Sequence, residues 1–314
     1  MKCFIAGGAG FIGSNLTRRL LEKGRYVTVF DNLSSGKKEF LSVFLKHKNF
    51  KFIEGDLLDQ ALVDRYIRDR DVVFHFAASS DITLGNKKTD LDLKNGFITT
   101  YNILEGMRRN NVKKIIFTSS GSIYGKINKP CFREDFGPVL PISLYAASKA
   151  SSEAYIAAFC NLYGFKGWIF RLANIVGPNA THGVVFDFVR KLKNNPADLE
   201  ILGDGTQTKP YLFVEECIDG MLYAFTHAKD SLNYFNLSPS DTLDVKDIAK
   251  IVAGVMMLKD VRFSFTNKGG GWPGDQNRIR LSPAKINALG WKAKMNSKQA
   301  VLLAAKKILE QGIV

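Results

Sequence analysis

A short apolar strand, a glycine-rich turn and a helix open this chain, and that order restricts its fold more than any other feature. Residues 2–6 (Lys-Cys-Phe-Ile-Ala) are an apolar run of strand length. Gly7-Gly8-Ala9-Gly10-Phe11-Ile12-Gly13 then turns the chain into helical apolar spacing from about Ser14 to Lys23. In that setting Gly7 and Gly8 permit a tight bend, Gly10 lets a diphosphate approach the backbone, and Gly13 lets the helix pack on the strand. Free N–H groups at the helix start face the phosphates. A second strand, Tyr26 to Phe30, ends in Asp31, eighteen residues beyond Gly13. A carboxylate there accepts the adenosine ribose hydroxyls and repels a 2′-phosphate, so the spacing predicts NAD in preference to NADP.

The alternation of strand and helix continues. Phe50 to Ile53 predicts a third strand ending in Glu54-Gly55-Asp56-Leu57, whose Asp56 can meet the adenine amino group. Residues 71–76 predict a fourth, followed by Ala77-Ala78-Ser79, small enough to let a cofactor lie against the strand ends. The segment Asn32-Leu33-Ser34-Ser35-Gly36-Lys37 has two readings, a loop flanking the ribose or a plain strand-to-helix turn. His75, inside an apolar strand, reads as a core histidine and receives no chemistry.

A helix over 91–110 carries Asn95 and Tyr101, and a fifth strand over 113–118 delivers Ser119-Ser120-Gly121-Ser122-Ile123-Tyr124-Gly125 to the carboxyl edge of the sheet. Those serines either place a hydroxyl beside a reacting sugar oxygen or simply end the strand. Tyr145-Ala-Ala-Ser-Lys149 sets a phenol and an ammonium one helical turn apart on one face. An unperturbed phenol titrates near ~10, and a neighbouring cation lowers that value, so the pair has two readings, a usable proton acceptor at Tyr145 or a solvated helix face.

Composition excludes several classes. No stretch of the 314 residues reaches a membrane-spanning apolar run, and glycines interrupt the apolar opening before it can act as a signal peptide, which predicts a cytoplasmic protein. Cys3, Cys131, Cys160 and Cys217 are scattered without a C-x-x-C pair, so neither a metal site nor a disulfide framework is expected. The net charge of +14 is spread along the chain with no nucleic-acid-binding motif beside it; an anionic small ligand and general surface charge are the simpler readings.

Taken in order, these segments resemble the extended short-chain dehydrogenases/reductases that act on nucleotide sugars, especially the UDP-glucose 4-epimerase-like group. The likeness runs through Gly7–Gly13, Asp31-Asn-Leu, Gly55-Asp-Leu, His75-Phe-Ala-Ala, Ser119-Ser120 with Tyr124-Gly125, Tyr145–Lys149, Arg171-Leu-Ala-Asn174 with Gly177-Pro178, Gly203-Asp-Gly-Thr and Trp272-Pro-Gly-Asp275. The resemblance implies a Rossmann-type, doubly wound parallel sheet with a smaller C-terminal α/β lobe for the substrate. It implies Tyr145 as catalytic acid and base, Lys149 holding the nicotinamide ribose, and Ser120 as third member. Gly7, Gly10, Phe11, Ile12, Gly13, Asp31, Asn32, Ser35, Gly36, Asp56, Leu57, Phe76, Ala77, Ala78, Asn95 and Ser119 complete the expected NAD site. Ser120, Ser122, Asn174, His182, Lys209 and Arg278 join Tyr145 at the expected substrate. Helices near 91–110 and 144–163 resemble those that pair subunits, which implies a homodimer.

Three places separate this chain from its likeness. Dehydratases resemble Thr-Asp-Glu where this chain has Ser120-Gly121-Ser122, and removal of water needs an acid-base group that glycine and serine lack. Lys209 stands where an arginine is common, keeping the charge for a diphosphate without the bidentate fork. Gly270 stands where an arginine often precedes Gly-Trp, and Arg278 and Arg280 are the candidates to replace it. The expected activity is epimerisation of a nucleotide sugar at C4 of a UDP-hexose through a 4-keto sugar. The alternatives are a dehydratase, an epimerase at another carbon or on a GDP- or dTDP-sugar, and a dinucleotide-binding protein without turnover.

The expected domains are residues 1–173 for NAD, with a strand near 233–237 returning to that sheet, and 174–314 for the nucleotide sugar. In the second part, a helix begins in the stretch 181–190, a strand runs over 200–202, and the stretches 243–257 and 297–309 read as amphipathic packing helices. His182 is either a substrate contact or a loop residue ahead of a helix.

Overall fold

The computed structural model describes residues 1–79, 82–126, 129, 131–266 and 276–312. The segment Trp272–Asp275 and Gly270 lie outside the described residues. A seven-stranded sheet comprises β1 (Lys2–Ala6), β2 (Tyr26–Asp31), β3 (Phe50–Glu54), β4 (Val72–His75), β5 (Lys114–Ser120), β6 (Lys166–Leu172) and β7 (Leu232–Leu237). Their spatial order is β7-β6-β5-β4-β1-β2-β3. From β3 across to β5 the pairing is parallel, and Ala6 is level with both Phe30 and His75.

All four residues of β4 and Cys3 to Ala6 of β1 are buried, as happens when helices cover both faces of a parallel sheet. On one face Phe4, Phe30, Val73 and Phe117 pack with Ile103, Leu104 and Met107 of α2 (Thr99–Arg109) and with Ile156 and Phe159 of α3 (Leu144–Tyr163). Each such side chain contributes roughly 1.5–3 kcal/mol by leaving water. The chain runs from β1 outward to β3 and then returns to lay β4 on the other side of β1. That reversal opens a crevice beyond the carboxyl ends of β1 and β4.

Two helices differ from their expected form. The first is Phe11–Glu22, three residues earlier than predicted, with the Ser14 N–H donating to the Gly10 carbonyl at 3.0 Å. Because Gly13 has no side chain, this first helical turn lies directly on the Gly7-Gly8 bend. The helix expected over 91–110 is instead an α-helical turn at Asp90–Asp92, a π-helical segment at Leu93–Ile98, and α2. Close packing fits the distortion: a Cβ on Gly96 would stand 2.4 Å from Ser148 Oγ on α3. The Thr99 and Thr100 hydroxyls also donate back to the carbonyls of Asn95 and Gly96.

The chain divides into two compact units, one made of Met1–Gly125, Pro138–Arg171 and Ala224–Phe235, the other of Lys126–Gly137, Leu172–Tyr223 and Asn236–Val314. The second unit holds short parallel pairs, Tyr211–Phe213 with Asn174–Val176 and Arg262–Phe265 with Asp198–Ile201. Its helices Val184–Asn194, Val245–Val255 and Ser297–Gln311 pack on one another, and Asn296 and Gln299 form a reciprocal cap at the start of the last. Among the described residues no helix is long and apolar enough to cross a membrane.

Candidate active site

The glycines after β1 have different jobs. Gly7 has a left-handed backbone (φ +79°), and a Cβ there would fall 2.5 Å from the Ala77 nitrogen, so the turns after β1 and β4 touch. A Cβ on Gly13 would meet the Gly7 oxygen at 2.3 Å. Gly10 is unlike both, since a Cβ there would meet only the Gly7 oxygen, at 3.4 Å. The protein's own packing therefore does not demand glycine at position 10, whereas a group approaching the start of the first helix would. Gly10 N-caps that helix without any side-chain hydrogen bond, which leaves its first N–H groups available to an anion. Phe11 and Ile12 are half-buried in the first helical turn.

Asp31 ends β2 beside this bend. Its two carboxylate oxygens accept the N–H groups of Ala9 and Leu33, each at 2.9 Å. Burial raises its pKa, and the two N–H bonds work in the opposite direction. The following loop folds back onto the glycine turn: the Lys37 N–H donates to the Ala9 carbonyl at 3.0 Å, and a Cβ on Gly36 would meet Ala9 and Asp31 at about 3 Å. Asn32, exposed, donates to Asp56 at 3.3 Å, so these two predicted residues meet, and Ser35 is exposed on the same loop. Leu57 is buried in the core with its carbonyl held by Asn102, while Phe76, Ala77 and Ala78 are half-buried beyond β4. These features fit a dinucleotide: an anion-ready helix start, a side-chain-free approach at Gly10, and a carboxylate fixed at the end of β2.

At the end of β5 the predicted trio comes together. Ser120 caps the turn Gly121–Tyr124, its hydroxyl accepting the Ser122 N–H at 3.1 Å and the Ser122 hydroxyl at 2.9 Å. With two acceptor positions filled, its own proton is left to donate, and it hydrogen-bonds the Tyr145 phenol. Ser119 is buried, and its hydroxyl has no partner. Lys149 is buried on α3; its ammonium donates to the Thr118 carbonyl at 2.7 Å and lies 4.7 Å from the Phe117 ring centroid and 5.9 Å from that of Tyr145. Asn95 lies in the π-helical segment, its carbonyl accepting the Thr99 hydroxyl at 2.9 Å.

The electrostatics correct one expectation. Burial pushes the Tyr145 phenol up to about 12; the Ser120 hydrogen bond opposes this and the Asp92 charge adds to it. Burial outweighs the expected lowering by the neighbouring lysine, whose ammonium is turned to the Thr118 carbonyl and is itself destabilised by burial. Lys149 is pushed down to about 7, with Glu153 and Asp92 opposing the fall. His75 is buried, bonded through Nε2 to the Thr100 hydroxyl at 2.9 Å, and burial followed by the Lys149 charge pushes it down to about 3. It is a neutral core histidine.

Of the predicted substrate residues of the second unit, Asn174, Lys209 and Arg278 are brought together, while His182 stands before the helix Val184–Asn194. Asn174 donates through its side chain to the Pro210 carbonyl at 3.2 Å. Lys209 follows Thr208, which forms an isolated parallel bridge with Arg278, so these two cations lie on neighbouring backbone segments. Arg280, the other candidate, donates to the Ser240 carbonyl at 2.7 Å. His182 is exposed, its ring paired with the Thr181 hydroxyl at 3.3 Å. Among the described residues no cluster of His, Cys, Asp and Glu is arranged for a metal ion.

Residues 3–238 match the NAD dependent epimerase/dehydratase family. The chain belongs to that family. NAD is accordingly the cofactor of the NAD-dependent epimerase/dehydratase family to which these residues belong. The UDP-glucose 4-epimerase of Mycolicibacterium smegmatis is 31% identical over 298 residues, covering 93% of each chain. A solved UDP-galactose 4-epimerase superposes with a TM-score of 0.88 at 34% identity over 99% of both chains. The UDP-glucose 4-epimerase of Thermus thermophilus, solved in complex with NAD, does so with a TM-score of 0.87 at 30% identity over the whole of both.

Two acidic groups near the trio were missed in the sequence. Glu153 continues the Tyr145–Lys149 face by one more turn, a spacing that the same i, i+4 rule can find. Asp92 had no such signal. Its carboxylate is buried against Gly85, where a Cβ would stand 2.1 Å from Oδ2.

Proposed function

We propose that this family member epimerises C4 of a UDP-hexose through a transient 4-keto sugar. The observation that carries the reading is the Ser120–Tyr145 hydrogen bond beside buried Lys149, followed by a turn, Gly121–Tyr124, that contains no carboxylate. NAD, when bound, supplies the hydride acceptor and donor. Tyr145 takes the C4 hydroxyl proton and later returns it, while the Ser120 proton steadies the phenolate oxygen. Lys149, anchored on Thr118, places a positive charge beside the ring. Because burial alone leaves the phenol near 12, proton removal depends on positive charge brought to the site, which Lys149 and an oxidised nicotinamide both carry. Elimination of water would need an additional acid-base group at the 121–122 position, and its absence favours epimerisation.

In the second unit, Lys209 and Arg278 bind the nucleotide diphosphate, Asn174 and His182 assist, and the fork that lysine lacks is supplied by Arg278. The reading includes a homodimer through α2 and α3. Tyr101, Tyr155 and Leu162 are 40, 43 and 67% exposed there, and Tyr155 packs edge-on against Phe97 and Tyr101, an aromatic face suited to a second copy.

The test is incubation with UDP-, dTDP- and GDP-sugars, separation of the products, and a Tyr145→Phe control. Interconversion of C4 epimers with no change in mass is expected. A product lighter by one water selects a dehydratase, and full activity in Tyr145→Phe overturns the chemistry.

A further inference from the structure

Arg171, near the end of β6, is 8% exposed and has no part in the proton transfer described above. Its guanidinium holds Glu153 and Tyr124 by hydrogen bonds and lies 5.8 Å from the Tyr234 ring centroid. Nε donates to both oxygens of Glu153 at 3.1 and 3.2 Å, Nη2 donates to Glu153 Oε2 at 2.8 Å, and Nη1 donates to the Tyr124 hydroxyl at 3.0 Å. Glu153 is one helical turn beyond Lys149 and two beyond Tyr145 on α3. Tyr124, fully buried, closes the 3-10 turn that Ser120 caps. The guanidinium also faces the Tyr124 ring at 5.1 Å.

One planar group therefore joins the two elements that carry the Ser120–Tyr145 hydrogen bond, the helix through Glu153 and the turn through Tyr124. Stability alone does not explain such a device, because a buried ion pair is often no more stabilising than apolar side chains of similar volume. Its geometry does. A guanidinium presents fixed donors in one plane, so it sets the separation of its two partners in a way that a lysine does not.

We propose that Arg171 is a positioning residue, clamping the Gly121–Tyr124 turn to α3 so that the Ser120 and Tyr145 hydroxyls stay in hydrogen-bond register. The proposal rests on Tyr145 being the proton acceptor.

Tyr124→Phe tests it directly, since it removes the hydroxyl that Arg171 Nη1 holds and keeps both members of the Arg171–Glu153 pair. The melting temperature should stay close to wild type while kcat falls by about tenfold with KM unchanged, the scale expected when reacting groups lose register. In protein labelled with ¹³C-tyrosine, the Tyr145 ring resonance, assigned by its loss in Tyr145→Phe, should shift in Tyr124→Phe. Within a Ser120→Ala background the same change should cost no further activity, because the contact it protects is already gone. Arg171→Lys should resemble Tyr124→Phe in kcat. An unmoved Tyr145 resonance together with wild-type kcat in Tyr124→Phe overturns the proposal, as does an undiminished effect in the Ser120→Ala background. If wild-type protein converts no nucleotide sugar, it is the functional reading that fails, and the resonance comparison still decides the clamp.

Discussion

The Lys149 ammonium is fixed to the Thr118 carbonyl at 2.7 Å, two residues before Ser120 on the same strand. Helix α3 is thereby pinned to the end of β5 by the same lysine that lies beside the Tyr145 ring. The bond satisfies one donor of a buried cation whose remaining cost is desolvation.

That cost gives a pH signature. Lys149 titrates near 7 in the folded protein against 10.5 ordinarily, so between those values the unfolded chain binds the extra proton. Its contribution to stability is present above about 10.5 and lost as pH falls through about 7. Relative to Lys149→Met, cofactor-free wild-type protein should therefore gain melting temperature as pH rises from about 7 to about 9. Parallel melting curves for the two proteins across that range would contradict the assigned burial.

In the proposed chemistry Tyr145→Phe removes the proton acceptor while keeping the ring, so the fold should persist and turnover should fall by about 10²–10⁴. Ser120→Ala deletes one hydrogen bond to a developing anion and should lower kcat by roughly 10–100-fold. Product chromatography gives both rates, and circular dichroism checks the fold.

Gly10 and Gly13 should respond differently to a single methyl group. Gly10→Ala meets only the Gly7 oxygen, at 3.4 Å, and should melt near wild type while NAD binding weakens at least about tenfold, the loss of close backbone approach to the diphosphate. Gly13→Ala forces a Cβ to within 2.3 Å of the Gly7 oxygen and should destabilise the fold itself. Calorimetric melting and NAD titration separate the two; equal melting temperatures would contradict the assigned packing.

Asp31→Asn removes the charge at the end of β2 and one of the acceptors for the Ala9 and Leu33 N–H groups. NAD should bind more weakly, and preference for NAD over NADP should fall by about tenfold, the scale of one screened charge interaction. Direct titration with both cofactors measures it; an unchanged ratio would remove Asp31 from the ribose site.

Much of this was legible in the residues. The glycine spacing, the acid at the end of the second strand and the Tyr145–Lys149 interval depend on local geometry, and a helix or tight turn fixes such intervals wherever it occurs. The break in the helix over 91–110 was not legible, because it arises where Gly96 meets Ser148 on α3, a contact between residues far apart in sequence. For the same reason Asp92 gave no signal: its burial depends on Gly85 and on packing about it.

The amino-acid order alone determined the alternation of strand and helix, the glycine turn after the first strand and the interval that sets Tyr145 and Lys149 on one helix face, since each rests on short-range periodicity. Only the tertiary structure decided the charge states of that pair. Desolvation depends on how much of the folded chain surrounds a group, and here it raises the phenol and lowers the ammonium against the direction that their spacing suggested.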